Sequence, residues 1–82
     1  MAHVTCPTQE VRAFTAGLDG FEVQAADVRG LIAELERRFP GLGAHVETRM
    51  AIAIDGEIHQ DALGAPLEPN SEVVLIPRIA GG

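Results

Sequence analysis

A single long amphipathic helix is legible in this chain, and the segments around it read as strand or turn. Val28, Leu31, Ile32, Leu35 and Phe39 fall at helical spacing and make one apolar stripe. Asp27 is a good N-cap, Arg37 and Arg38 suit the negative end of the macrodipole, and Pro40-Gly41 stops the helix. Gly30 inside it is unfavourable by about 1 kcal/mol against Ala, and a close approach to the sheet is one available reason. One such helix can cover only one side of a sheet, so strands must supply the rest of the core and leave a second face open.

The strand signals are short and regularly placed. His3 to Pro7 reads as a first strand, with Cys6 on the buried face of Val4. A long loop with Gly17 and the Asp19-Gly20 turn leads to Phe21-Glu22-Val23-Gln24-Ala25, which alternates apolar and polar. After the helix, Met50 to Ile54 reads as a third strand. Asp55-Gly56 turns it into a short strand at Glu57-Ile58-His59. A compact stretch with Leu63, Leu67 and Pro69 follows. Asn70-Ser71 then leads into Glu72-Val73-Val74-Leu75-Ile76, apolar on both faces and so expected in the middle of the sheet. The order predicts an α+β fold, a mixed sheet of about four to five strands wrapped around one main helix. The connection through the helix permits one parallel pairing.

Composition narrows the function. At 82 residues the chain is one domain, and its apolar share of 46% argues for a packed core. It has no Trp or Tyr and a net charge of −6, which speaks against nucleic-acid binding. No apolar run is long enough to span a bilayer, and no leader sequence is legible, so no membrane role and a cytoplasmic location are expected. Cys6 is the lone cysteine and reads as a small buried hydrophobe rather than a nucleophile. His3, His45 and His59 lie on different segments without metal-ligand spacing, so no metal site is expected. Glu34, Glu36 and Arg37 read as the solvated face of the helix.

The sequence ends Ala80-Gly81-Gly82. A stalk without side chains can enter a narrow channel and take φ values closed to other residues. The ordinary alternative is a frayed end.

In this order the segments resemble the MoaD/ThiS family of β-grasp, ubiquitin-like sulfur carriers over nearly the whole chain. Val11-Arg12-Ala13-Phe14-Thr15-Ala16-Gly17 looks like the stretch after that family's first strand. Asp27-Val28 through Leu35, closed by Phe39-Pro40-Gly41-Leu42, looks like its helix and helix stop. Ile54-Asp55-Gly56-Glu57-Ile58 resembles its Val-Asn-Gly-Glu hairpin. Leu67, Pro69-Asn70-Ser71-Glu72-Val73 and Ile76-Pro77-Arg78-Ile79-Ala80-Gly81-Gly82 match its C-terminal pattern.

The resemblance implies a co-substrate, not an enzyme. An E1-like adenylyltransferase would use ATP and Mg²⁺ to adenylate the Gly82 carboxylate. A sulfur donor would convert it to a thiocarboxylate, and a sulfur-accepting synthase subunit would receive the sulfur. No cofactor would be bound by the chain itself. The residues from Arg78 through Ile79, Ala80, Gly81 and Gly82 would form a flexible tail. Val74 and Ile76, with Ile58 and Pro7 beside them, would form the docking patch on the open face. Length and the Phe-Pro-Gly-Leu helix end lean toward the molybdopterin synthase small subunit. That family's carriers commonly read Pro-Pro-Val where this chain has Pro77-Arg78-Ile79, and an Ile-Ala-Gly-Gly ending also occurs in thiamin-type tails. The alternatives are a carrier of the thiamin, cysteine or tRNA-thiolation type, or a ubiquitin-like modifier joined to lysine. A small interaction domain with an incidental diglycine is the reading from a different class.

Overall fold

The computed structural model describes residues 1–59 and 63–78. Five strands form one sheet in the order β2-β1-β5-β3-β4. They are β1 (Ala2–Thr5), β2 (Gly20–Val23), β3 (Met50–Ile54), β4 (Glu57–His59) and β5 (Glu72–Pro77). The helices are α1 (Gln9–Arg12), α2 (Val28–Arg38) and α3 (Leu42–Arg49). β1 runs parallel to β5, and the other pairings are antiparallel, so the sheet is mixed. β5 is central, as its two apolar faces require.

Strand alternation decides the core. Ala2, Val4, Phe21, Val23, Ile52, Ile54, Val73 and Leu75 point to one side of the sheet. Val28, Leu31 and Leu35 of α2 meet them there and are buried, while Ile32 and Phe39 pack at the margin. Asp27 caps α2 by accepting from the Gly30 N–H at 2.8 Å. A Cβ on Gly30 would lie 3.2 Å from that Asp27 oxygen and 3.7 Å from the Ala25 Cβ. The glycine therefore accommodates the cap and its flank, not the sheet.

Two helices go beyond the sequence reading. α1 is one turn in the loop after β1, capped by Thr8, and it buries Val11. α3 follows α2 almost at once and buries Leu42, Gly43 and Val46. A Cβ on Gly43 would sit 2.7 Å from both the Ile32 carbonyl and the Glu36 Cβ, so this glycine sets how closely α3 approaches α2. Gly41 enters α3 with φ +97. Its Cβ position faces the Phe14 ring, which also stacks on His45 with centroids 5.0 Å apart. His45 pairs with Glu10, so α1 is fastened to α3.

Glu36 is exposed but not merely a solvated side chain. Its carboxylate accepts from the Gly41 N–H at 2.8 Å and the Ala44 N–H at 3.1 Å. It thus caps α3 from the preceding helix, because Gly41 has no side chain to do so. Those amide bonds hold its carboxyl below the ordinary glutamate range. Arg37 pairs with Glu34 on the same helix.

Candidate functional site

Every second residue of the sheet points away from the helices. The pairings Ala53↔Ile58, Ala53↔Val74 and Thr5↔Val74 align four side chains in one row across that face. Ala51↔Ile76 makes the next row, toward the C-terminal end of β5. Ile58 is 59% exposed, while Val74 and Ile76 are half-buried. Ala51 and Ala53 form a low floor between β4 and β5. The three larger side chains rise from it as one apolar area, a feature that on small domains tends to mark a partner site.

Of the four residues expected at a docking patch, Ile58, Val74 and Ile76 share this face. Pro7 is exposed just beyond the end of β1. Ala53 adds a half-buried side chain to this face, whereas Ala51 on the same face is buried, and neither was expected there. Their signal was the large-small alternation of Met50-Ala51-Ile52-Ala53-Ile54, in which the large residues face the core.

The opposite end of the face is polar. His3 pairs with Glu22 across β1 and β2 and sits opposite Glu72 of β5. The face therefore grades from acidic at the start of β5 to apolar at its end. The start of β5 is pinned to the β3–β4 turn. Asp55 and Gly56 both have positive φ, at 49° and 89°, the geometry of a two-residue hairpin turn. The Asp55 carboxylate accepts from the Glu72 N–H, and its own N–H donates to the Glu72 carbonyl, each at 2.9 Å.

At the other end of β5, Arg78 is the last described residue and it is held. Its N–H donates to the Arg49 carbonyl at 3.2 Å. Its Nη2 donates to the carbonyls of Met50 at 3.2 Å and Glu47 at 3.4 Å. Arg78, expected in the tail, is therefore tied to the end of α3 by its own side chain and amide. Arg78 also lines a cavity of about 120 Å³ with Val28, Ile32, Met50, His59 and Leu63. Ile79, Ala80, Gly81 and Gly82 lie outside the described residues.

Cys6 is fully buried, and burial pushes its thiol above the ordinary range, which suits a packing role and not a nucleophile. Among the described residues, no group of three or more His, Cys, Asp or Glu is placed to hold a metal ion. No helix among them is long and apolar enough to cross a membrane. The candidate site among the described residues is therefore the apolar end of the open face, around Ile58, Val74 and Ile76.

Comparison with known proteins gives this arrangement a context. A chain of the Amycolatopsis orientalis BexX/CysO complex is 23% identical, with a TM-score of 0.83 and all of both chains covered. Mycobacterium tuberculosis CysO, described as an antigen, is 17% identical with a TM-score of 0.84, covering 96% of this chain and 100% of that one. Small archaeal modifier protein 1 from Methanosarcina acetivorans is 20% identical with a TM-score of 0.77, covering 99% and 95%. These likenesses establish the β-grasp, ubiquitin-like fold. No curated protein sequence matches the chain. The profile of the ThiS family matches residues 9–82, from α1 through the final glycine, and the chain therefore belongs to the ThiS family.

Proposed function

We propose that this chain is a sulfur carrier whose reactive group is the Gly82 carboxylate. The observation that carries the reading is the family match, which extends through the diglycine. The apolar end of the open face supports it, since a partner seated on Ile58, Val74 and Ile76 would meet the tail as it leaves β5.

The chemistry follows from the carboxylate. It is a poor acyl donor until one of its oxygens is made part of a good leaving group. A Gly82 oxygen attacks the α-phosphorus of ATP in an E1-like partner, pyrophosphate leaves, and an acyl-adenylate results. Mg²⁺ and ATP belong to that partner. Sulfur at the oxidation level of hydrosulfide then attacks the acyl carbon, AMP departs, and a thiocarboxylate remains. Glycines at positions 81 and 82 let the carboxylate reach the phosphorus in line, and that positioning is the carrier's main contribution. No residue of this chain need act as acid, base or metal ligand, so the carrier is a co-substrate.

The sulfur acceptor divides the finer readings. The helix end at Phe39-Pro40-Gly41-Leu42 leans toward the molybdopterin synthase small subunit. Carriers of the cysteine, thiamin or tRNA-thiolation type share the same chemistry up to the thiocarboxylate. Likeness to an archaeal modifier protein supports a second reading, in which a lysine amine attacks the acyl carbon of the adenylate, AMP departs and an isopeptide bond forms.

The test is ATP–pyrophosphate exchange with an E1-like enzyme, comparing the intact chain with one lacking Gly82 and one extended beyond it. Exchange only with the intact chain is expected. Equal exchange with all three would remove Gly82 from the site. Thiocarboxylated carrier offered in turn to a molybdopterin synthase large subunit, a thiazole synthase and a cysteine synthase then identifies the pathway by which product forms.

A further inference from the structure

α3 ends against the start of β3, and its last carbonyls need donors. The Val46 carbonyl receives the Met50 N–H, but those of Glu47 and Arg49 lie beyond the helical ladder. One residue supplies both. The Arg78 N–H reaches Arg49, and its guanidinium Nη2 spans Glu47 and the neighbouring Met50 carbonyl. The interaction places a cation at the negative end of the α3 macrodipole. It also lies one residue past the last sheet pairing, Met50↔Pro77, where the chain would otherwise leave the domain.

We propose that Arg78 is a positioning residue: it clasps the root of the tail to the α3–β3 junction and fixes the point from which residues 79–82 reach the activating enzyme. This inference rests on the carrier reading. Beyond the clasp, four residues remain. Fully extended they span about 13–14 Å, so the position and direction of their root decide where the carboxylate arrives. Opening the clasp adds a residue that must be ordered again at the moment of reaction. Ordering one backbone unit lowers the productive fraction by about five- to thirtyfold. The planar guanidinium suits this role, because its N–H groups lie in a fixed fork, whereas a lysine offers one compact charge.

The clasp also gives the tail and the docking patch separate work. Ile58, Val74 and Ile76 on the open face bind the domain. Arg78, on the helix-side junction, acts on the reacting end. The two contributions therefore divide between affinity and the rate of the bound complex.

The experiment compares the full chain with Arg78→Ala and Arg78→Lys. Hydrogen exchange of the residue-78 amide reports the clasp directly. Titration against the activating enzyme gives Kd, and a single turnover with ATP–Mg²⁺ gives the adenylation rate. Arg78→Ala is expected to exchange that amide faster and to lose about five- to thirtyfold in rate with Kd within about twofold, while Arg78→Lys recovers part of the rate. If Arg78→Ala fails to fold, Arg78→Met keeps the stem, removes the donors and carries the same expectation. Unchanged amide exchange, or a loss confined to Kd, overturns the proposal, the latter by making Arg78 a direct contact to the enzyme. Failure of the unmutated chain to be adenylated would instead refute the carrier reading, and the amide exchange would still decide the clasp.

Discussion

Neighbouring residues on β5 should respond oppositely to substitution, and the contrast tests the division of the sheet into a core face and a docking face. Leu75 is fully buried among the core side chains, whereas Ile76 is half-buried on the open face beside Ala51. A domain of 82 residues has a stability of roughly 4–12 kcal/mol. Leu75→Ala removes a fully buried side chain and should cost about 2–5 kcal/mol, a large part of that total. Ile76→Asp gives up roughly half of a full burial term, about 1 kcal/mol, and somewhat more for placing a poor strand former. It should therefore stay folded. At a docking site the same change should cost 2 kcal/mol or more in binding, about thirtyfold in Kd. Urea unfolding and titration against the activating enzyme measure the two quantities on the same samples. If Ile76→Asp unfolds the chain while Leu75→Ala does not, the faces are reversed. If Ile76→Asp folds and binds normally, the patch has no part in docking.

Two further outcomes follow from the α2–α3 junction. Gly43→Ala forces a Cβ to within 2.7 Å of the Ile32 carbonyl, so urea unfolding should show a loss of about 1–3 kcal/mol, and an unchanged midpoint would mean that α3 does not pack this closely. Glu36 has a depressed carboxyl in the folded chain, so its stabilising effect is present above its unfolded pKa and lost as pH falls through the folded one. Glu36→Gln should flatten the acid limb of the stability–pH curve, and an NMR titration should find the native carboxyl below the ordinary glutamate range; an ordinary value would show that the cap does not form.

Much of the fold was legible because burial follows period. The α2 stripe, the alternation in β2 and the doubly apolar β5 each follow from which neighbours a side chain must meet. Asp55-Gly56 announced its turn through the positive φ that such a loop needs. The two short helices were not legible for physical reasons. α1 is a single turn whose one buried residue, Val11, makes no pattern. α3 buries Leu42, Gly43 and Val46, and a glycine inside it argues against helix until one sees that α2 needs the missing Cβ there. Glu36 read as solvated because it is exposed, although its carboxylate caps a helix that the local sequence had not announced. Arg78 read as tail because its partners are carbonyls some thirty positions earlier, and backbone acceptors leave no trace in side-chain patterns. The open face, by contrast, could be read from β5 alternation alone, and Ala51 and Ala53 were present in the same alternation of β3.

The most direct measurement of the central claim is the intact mass of the chain after incubation with an E1-like enzyme, ATP–Mg²⁺ and a sulfur source, followed by fragmentation to locate the change. A gain equal to one sulfur less one oxygen, confined to Gly82, is the predicted result. An unchanged mass under conditions where the enzyme activates its own known carrier would contradict the account, as would a gain located at Cys6 or anywhere else before the tail.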